Sequence, residues 1–205
     1  MSNDTAKATE GFGVGVATAI PDIFNWRIEW DIQRWDAEAT EWAMRQLDGR
    51  APKAEDFLRL RVRSYEDSHV DGNLLTTAGI GRIATLLTAG TGNLISSTTA
   101  RVGAGNGAGT AAIGDTDLSA AAGAANRWFQ TCTVTIPSNV LTFAATFGTG
   151  DGNFAWNEFG IDIGTATVTS GATVNAVLLN HKTSIAQGTK ASGQTWSATA
   201  TVTFS

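Results

Sequence analysis

Residues 153–162 read Asn-Phe-Ala-Trp-Asn-Glu-Phe-Gly-Ile-Asp, and the rest of the chain is organised around this stretch. Its aromatic and β-branched residues favour a strand, and the glycines on both sides of it are typical of strand ends. The apolar side chains change face partway along, which predicts a bulge near Glu158 or Gly160. We therefore predict that this stretch is the central strand of an antiparallel sheet.

Short strands separated by Gly, Asn and Ser turns are predicted along the rest of this region. They cover residues 94–102, 127–136, 140–147, 174–182 and 195–204. The last of them alternates apolar residues with Ser and Thr, which is the pattern of a strand with one buried face. Strands at this spacing predict a mainly β protein with an antiparallel β-sandwich of the jelly-roll or Ig-like type. The predicted sandwich core consists of Phe143, Phe147, Phe154, Trp156, Ile161, Trp196, Val202 and Phe204.

Charge is concentrated at the start of the chain. Residues 1–71 hold 9 of the 14 Lys and Arg and 14 of the 19 Asp and Glu, whereas Ala, Gly, Thr and Ser dominate afterwards. This change in composition predicts an extended arm over 1–22, an α/β anchoring segment over 23–70 and a sandwich domain over 71–205. A helix is predicted near 74–89, where internal glycines either weaken the helix or mark close packing against another backbone.

The anchoring segment combines aromatic residues with arginines. Residues 24–32 alternate apolar and polar side chains, and Asp36 is placed to cap a helix over 37–47. Residues 58–63 also alternate, which predicts a strand with three arginines on one face. That face is either solvated or in contact with an acidic partner or a neighbouring copy. The candidate partner-binding residues are Phe24, Trp26, Trp30, Trp35, Trp42, Arg59, Arg61 and Arg63.

Composition argues against several functional classes. The net charge of -5 is mild and does not predict a nucleic-acid partner. The one cysteine, Cys132, excludes an intrachain disulfide framework and is interpreted as a small buried apolar side chain. The first residues do not resemble a signal peptide, and no apolar run reaches the ~20 residues that span a bilayer. We therefore expect synthesis in the cytoplasm and no membrane partner.

Two loop motifs resemble ligand sites only superficially. Residues 103–109 form a glycine-rich loop, but no Lys-Ser/Thr follows it, so nucleotide binding is not predicted. Asp115 and Asp117 are too few to hold Ca²⁺, and we interpret them as caps of an alanine-rich segment over 118–125. Neither a cofactor nor a metal is predicted.

The side chains available for catalysis are few and scattered. His69 and His181 are interpreted as ordinary polar residues. Glu158 and Asp162 would face the same side of a strand about 13 Å apart at ~3.3 Å per residue, wider than the ~5–9.5 Å used in glycoside hydrolysis. The sequence therefore predicts that the protein is not an enzyme.

Six short motifs, separated along residues 71–205, form a recognisable set. They are Asp-Gly-Asn-Leu-Leu at 71–75, Ala-Arg-Val-Gly at 100–103, Gly-Asp-Thr-Asp-Leu at 114–118, Trp-Asn-Glu-Phe-Gly-Ile at 156–161, Leu-Asn-His-Lys at 179–182 and Gln-Thr-Trp at 194–196. This set resembles a family of tailed-bacteriophage virion proteins. The resemblance implies a structural protein without an active site, located in the virion after assembly in the host cytoplasm.

Three functions stay open at this point. The break in composition near residue 71 favours a capsid decoration (cement) protein that docks on the major capsid protein through residues 1–70. A tail, fibre or baseplate component is the second, with tail proteins as partners. In either case we expect a homo-oligomer, and a trimer for a stalk or tip. The third is a carbohydrate-binding module, since exposed Trp side chains can stack on sugars; burial of Trp156 and Trp196 would argue against it.

Overall fold

The computed structural model describes residues 26–92, 94–164 and 177–205, and this part of the chain is mainly β, as predicted. The predicted arm over 1–22 and Phe24 lie outside the described residues. The strands are β1 (Trp26–Trp35), β2 (Glu66–Asp71), β3 (Leu74–Leu75), β4 (Ala100–Gly105), β5 (Arg127–Thr135), β6 (Val140–Phe147), β7 (Glu158–Ile163), β8 (Val177–Thr183) and β9 (Thr195–Phe204). The helices are α1 (Ala37–Gln46), α2 (Ala54–Arg59) and α3 (Thr77–Thr88).

The strands form one curled antiparallel sheet in the order β2-β1-β9-β6-β5-β4-β7-β8-β3. Strand β5 joins its two halves, because residues 127–131 pair with β4 and residues 132–135 pair with β6. The halves face each other: Trp30 on β1 stacks on Phe159 of β7 with ring centroids 4.8 Å apart. The edge strands β2 and β3 are separated in the chain only by Gly72 and Asn73, so the chain itself connects the two edges.

The interior of the curl is aromatic. Trp156 is fully buried, and its ring contacts Phe147, Phe159 and Trp196 at centroid distances of 4.7, 5.7 and 4.9 Å. Burying one Trp side chain removes ~150–250 Å² from water, which contributes about 4–6 kcal/mol before ordering costs. Of the predicted core residues, Phe204 is half-buried, and those that are buried are Phe143, Phe147, Phe154, Trp156, Ile161, Trp196 and Val202.

Strand β1 pairs with β9 along its whole length, from Trp26 opposite Phe204 to Trp35 opposite Thr195. The strand of the predicted anchoring segment is therefore part of the same sheet as the predicted sandwich region. Asp36 caps α1 as expected, because its side chain accepts a hydrogen bond from the backbone N–H of Ala39 at 2.8 Å.

The predicted strand over 58–63 is wrong. Helix α2 ends at Arg59, and Arg61 has a φ of 58°, in the left-handed region. The helix forms because the Asp56 side chain accepts from the N–H of Lys53 at 2.9 Å. Phe57 then stacks on Trp35 with ring centroids 4.2 Å apart. This long-range contact overrides the alternating pattern of the local sequence.

The glycine-rich region also differs from the prediction, because β4 begins at Ala100 rather than at residue 94 and continues into the predicted loop. Gly103 and Gly105 lie on the outer face of β4. A Cβ at Gly103 would overlap the Phe129 ring, and one at Gly105 would overlap the Glu158 side chain. The glycines thus make room for side chains of the neighbouring strands.

Residues 153–162, predicted to form one strand, contribute a shorter strand than expected. Strand β7 starts at Glu158, and the preceding residues bond to the segment between β8 and β9: Trp156 N–H donates to Gly188 O at 2.9 Å. Strand β7 lies between β4 and β8, and all its residues are buried. The register shift falls between Ile161 and Asp162, one residue beyond the predicted range.

Helix α3 packs on β8 through one of its two internal glycines. A Cβ at Gly79 would overlap the backbone of Leu179, whereas a Cβ at Gly81 would meet nothing within 4 Å. Close packing, one of the two interpretations from the sequence, therefore applies to Gly79.

Substituting these two glycines is expected to change stability in opposite directions. Gly79→Ala should lower the free energy of unfolding by about 1–3 kcal/mol, because the helix must move away from β8. Gly81→Ala is the matched control and should raise it by about 0.5–1 kcal/mol, because alanine favours the helix at an open position. Urea denaturation of both variants measures the two changes, and equal effects would contradict the packing of α3.

Candidate functional site

A cluster of buried charges lies between the outer face of β4, β7 and β8 and the loop over residues 106–126. Glu158 of β7 and His181 of β8 are 0% and 1% exposed. Leu118, Phe129 and Leu178 pack together as a small apolar cluster of their own in the same region. We call the group formed by Glu158, His181, Asp115 and Ser119 the Glu158 cluster.

The Glu158 carboxylate is the centre of this cluster. It accepts from Ser119 N–H at 2.8 Å, Ser119 Oγ at 2.6 Å, Ala120 N–H at 2.7 Å and Gly107 N–H at 3.2 Å, and it contacts His181 Nε2 at 2.8 Å. Burial alone would raise the pKa of Glu158. The hydrogen bonds from His181, Ser119 and Ala120 outweigh burial and lower this pKa to about 2.

His181 connects the sheet to the loop. Its Nε2 faces Glu158, and its Nδ1 lies 2.6 Å from Asp115 Oδ2. Carboxylate oxygens only accept, so both ring nitrogens donate and the ring is an imidazolium. Burial lowers the pKa of His181, but its hydrogen bonds with Glu158 and Asp115 have the larger combined effect and raise it. Both nitrogens are occupied, which leaves neither free to take a proton from a substrate.

Two further ion pairs border the cluster. Arg101 Nε donates to Asp162 at 2.8 Å in a pair whose side chains are 3% and 0% exposed. Arg127 contacts Asp117 at 2.8 Å and donates to Ala120 O at 3.3 Å. Asp162 and Glu158 thus each have a cation of their own on the outer face of β7.

This geometry corrects two interpretations from the sequence. Residues 118–125 are all described and are not helical, so Asp115 and Asp117 do not cap a helix there. The N–H groups of Ser119 and Ala120 donate to Glu158, outside any helical pattern. His181 is buried in an ion network, whereas the other histidine, His69, is exposed beside Asp31 at 2.7 Å.

The predicted partner-binding tryptophans separate into two groups. Trp30 and Trp35 are 0% and 1% exposed and fill the interior of the chain, so they are not available to a partner. Trp26 is half-buried against Phe204, with ring centroids 5.6 Å apart. Trp42 is 39% exposed.

Trp42 lies in a groove together with one of the predicted arginines. The groove has a volume of about 510 Å³ and runs between α1 and the residues after α2. We call it the α1 groove, and it is lined by Asp36, Glu38, Ala39, Trp42, Arg45, Leu60, Arg61 and Val62. Arg59 and Arg63 are exposed but do not line it, and Arg59 is paired with Asp56 at 3.1 Å.

Sequence reasoning missed three polar residues with structural roles, of which Arg34 and Lys190 are buried. Ser119 gives Glu158 two hydrogen bonds. Arg34 is 1% exposed and donates to the side chains of Ser68 and Gln187. Lys190 is also 1% exposed. A signal was available for Lys190 alone: residues 72–205 contain only five basic residues, so each of them was a candidate for a special environment.

A second group of ionisable residues lies on the edge formed by β1 and β2. Glu29, His69 and Asp71 bring potential metal-ligand atoms within 4.8 Å of one another. The exposed Arg27 guanidinium contacts Glu29 at 2.5 Å and Asp71 at 3.1 Å. A cation of the chain itself therefore already contacts both carboxylates.

No family model matches the sequence, and comparison with curated proteins and with solved structures finds no significant match. Within the described ranges, none of the helices has the length and apolar character needed to cross a bilayer.

Stability should depend on pH through the Glu158 cluster. The folded pKa of His181 is raised above its ordinary 6.5, so the folded state holds a proton that the unfolded state releases first. The free energy of unfolding should therefore fall as pH rises from 6.5 through the raised pKa. Glu158 affects stability in the opposite direction. Its stabilising contribution is fully present above pH 4.5, its ordinary pKa, and is lost as pH falls toward its folded pKa of about 2.

Urea denaturation across this pH range measures both changes. His181→Gln should flatten the profile on its alkaline side, because no proton is then taken up at this position. His69→Gln is the comparison at an exposed histidine. The hydrogen bond with Asp31 raises the pKa of His69 as well, so this variant should lose only the share of the decline due to His69 and keep the share due to His181. A decline of equal size in His181→Gln and the original protein would contradict the assignment to His181.

Proposed function

We propose that this chain is a non-enzymatic structural protein of a bacteriophage virion, namely a capsid decoration protein that docks on the lattice of the major capsid protein. The observation that carries the proposal is that the motifs resembling virion proteins contact one another. Glu158, in the motif at 156–161, bonds to His181, in the motif at 179–182. Trp156, in the first of these, packs on Trp196, in the motif at 194–196.

The motifs upstream of residue 120 contact the same strands, β7 and β8. Asp115, in the motif at 114–118, contacts His181, and Arg101, in the motif at 100–103, pairs with Asp162. Leu74, in the motif at 71–75, lies opposite His181 in the pairing of β3 with β8. The shared motifs are therefore largely interior contacts of one scaffold, which supports a structural role over a catalytic one.

The proposal includes a finer description of the fold. The half with β1, β9 and β6 and the half with β4, β7 and β8 would act as the two layers of an antiparallel sandwich. The stacking of Trp30 on Phe159 between the halves supports this description. Such a rigid double layer suits a protein that stands on a shell.

Docking would use the α1 groove. A tryptophan beside arginines is the composition of many binding hot spots, because Trp and Arg contribute large contact areas and directed hydrogen bonds. Trp42 and Arg61 line the groove, and Arg63 is exposed shortly after it in the chain. The groove lies within the segment predicted to anchor the protein.

A carbohydrate-binding role has less support. Trp156 and Trp196, whose burial argues against this role, are 0% and 2% exposed. A tail, fibre or baseplate location would keep the structural role but change the partner, and the location in the particle distinguishes it from decoration.

The test is the position of the chain in purified particles. Heads and tails are separated and analysed by mass spectrometry, and intact particles are labelled with an antibody against the chain. We expect the protein on heads. Detection on tails alone would contradict decoration and support the alternative, and its absence from both fractions would contradict a virion role.

Substitutions in the α1 groove should weaken docking. Trp42→Ala and Arg61→Ala are each expected to reduce affinity for particles that lack the protein by about tenfold or more, the effect of losing ~1.4 kcal/mol at a hot spot. Tyr65→Ala is the control, since Tyr65 is exposed outside the groove. Co-sedimentation measures binding, and thermal unfolding checks that each variant is folded. Unchanged affinity in both groove variants would exclude the groove.

A further inference from the structure

Lys190 is a buried amine with neutral partners. Its side chain lies in the segment between β8 and β9 and is 1% exposed. The Nζ donates to the backbone oxygen of Gly148 at 2.7 Å and to Oδ1 of Asn153 at 2.7 Å. Among the described residues Lys190 forms no ion pair, so no carboxylate directly stabilises its charge.

This environment makes the amine more nucleophilic. Burial lowers the pKa of Lys190 to about 8, although the charge of Asp151 acts in the opposite direction. A substantial fraction of the side chain is therefore uncharged slightly above neutral pH, and a neutral desolvated amine is a nucleophile. Because the side chain is buried, the electrophile available to it is one that the chain itself provides.

The side-chain amide of Asn153 is that electrophile. The Nζ lies 2.7 Å from Oδ1, and a C=O bond measures ~1.23 Å, so Cγ is within about 3.9 Å of the amine. A small rotation of the amide brings Cγ to the ~3–3.5 Å of a near-attack arrangement. The Nδ2 group donates to Thr149 O at 3.0 Å, which orients the amide with Oδ1 toward Lys190.

We propose that Lys190 and Asn153 join in an intramolecular isopeptide bond. The Nζ attacks Cγ, a bond forms between them, and the Cγ–Nδ2 bond breaks. An amine and a primary amide become a secondary amide and one ammonia, so no oxidant, reductant or cofactor is required. The proton released by Nζ passes to the departing Nδ2, and the proposed carrier is Asp151, the carboxylate whose charge acts on Lys190. Asn153 is exposed, which lets the ammonia leave to solvent.

The bond would fasten two segments that already lie side by side. Lys190 N–H donates to Phe154 O at 3.1 Å, and Ala155 pairs with Thr189 in an isolated β-bridge. The cross-linked residues are 37 positions apart, so the bond would restrict the unfolded chain and raise the Tm. This proposal is independent of where the protein acts.

The intact mass of the denatured full-length protein tests the bond directly. After incubation of the folded protein at about pH 9, we expect a mass lower than that of the sequence by one ammonia. Tryptic digestion should then yield a branched peptide containing Lys190 and Asn153. The proposal would be overturned if folded protein, as shown by circular dichroism, still had the unmodified mass of its sequence after prolonged incubation. Deamidation of Asn153 without a cross-link would also overturn it.

Variants identify the groups involved. Lys190→Met and Asn153→Ala should have the full mass of their sequences, whereas Lys182→Met, at a partly exposed lysine, should keep the deficit of one ammonia. Asp151→Asn should slow the loss of ammonia at least tenfold, and an unchanged rate would remove Asp151 from the mechanism. If a variant fails to fold, the time course of ammonia loss in the unsubstituted protein decides, because its rate should rise as pH passes through about 8.

Discussion

The buried carboxylate of Glu158 is the constraint on which the rest of the structure depends. An unpaired charge at 0% exposure would cost several kcal/mol, so the chain must bring donors to it. The donors come from His181 and from the backbone of Gly107, Ser119 and Ala120. This requirement fixes the path of the loop over 106–126, which has no regular structure of its own to hold it. A single side chain thus organises a long segment remote from it in sequence.

Strand β7 also connects this cluster to the aromatic interior. Glu158 faces the loop, and its neighbour Phe159 stacks on Trp30 inside the curl. A slip of one residue would exchange them, placing a carboxylate among aromatic rings, so the register of β7 is strongly specified. On β8, Leu178 and His181 both face the loop although they are three positions apart, which strict alternation would forbid. The register shift between Ile161 and Asp162 supplies the extra residue that makes this possible.

Local signals in the sequence predicted the elements that depend on local contacts. The cap at Asp36 and the bounds of β6 and β9 are found as predicted, because capping and alternation are read from neighbouring residues. The segments that differ depend on distant partners: residues 58–63 follow the stacking of Phe57 on Trp35, and residues 103–105 follow the space needed by Phe129. The Glu158 cluster was missed for the same reason. Three of its members, Glu158, His181 and Asp115, were noticed separately, but their meeting depends on strand pairing that no local pattern reveals.

The distribution of charge indicates that residues 72–205 and the preceding α1–α2 region have different roles. Residues 72–205 contain 5 basic and 5 acidic residues. Half of these ten are buried, namely Arg101, Arg127, Lys190, Glu158 and Asp162. Buried ion pairs contribute little net stability compared with apolar packing, but a partner lost from any of them is costly, so alternative arrangements of the sheet are disfavoured. Charge in this region is therefore largely used to specify one shape, which leaves few charged groups there for recognition. The exposed Trp42 and Arg61 line the α1 groove, so in the docking we propose the segment that adds two helices to the sheet would also be the one that contacts a partner.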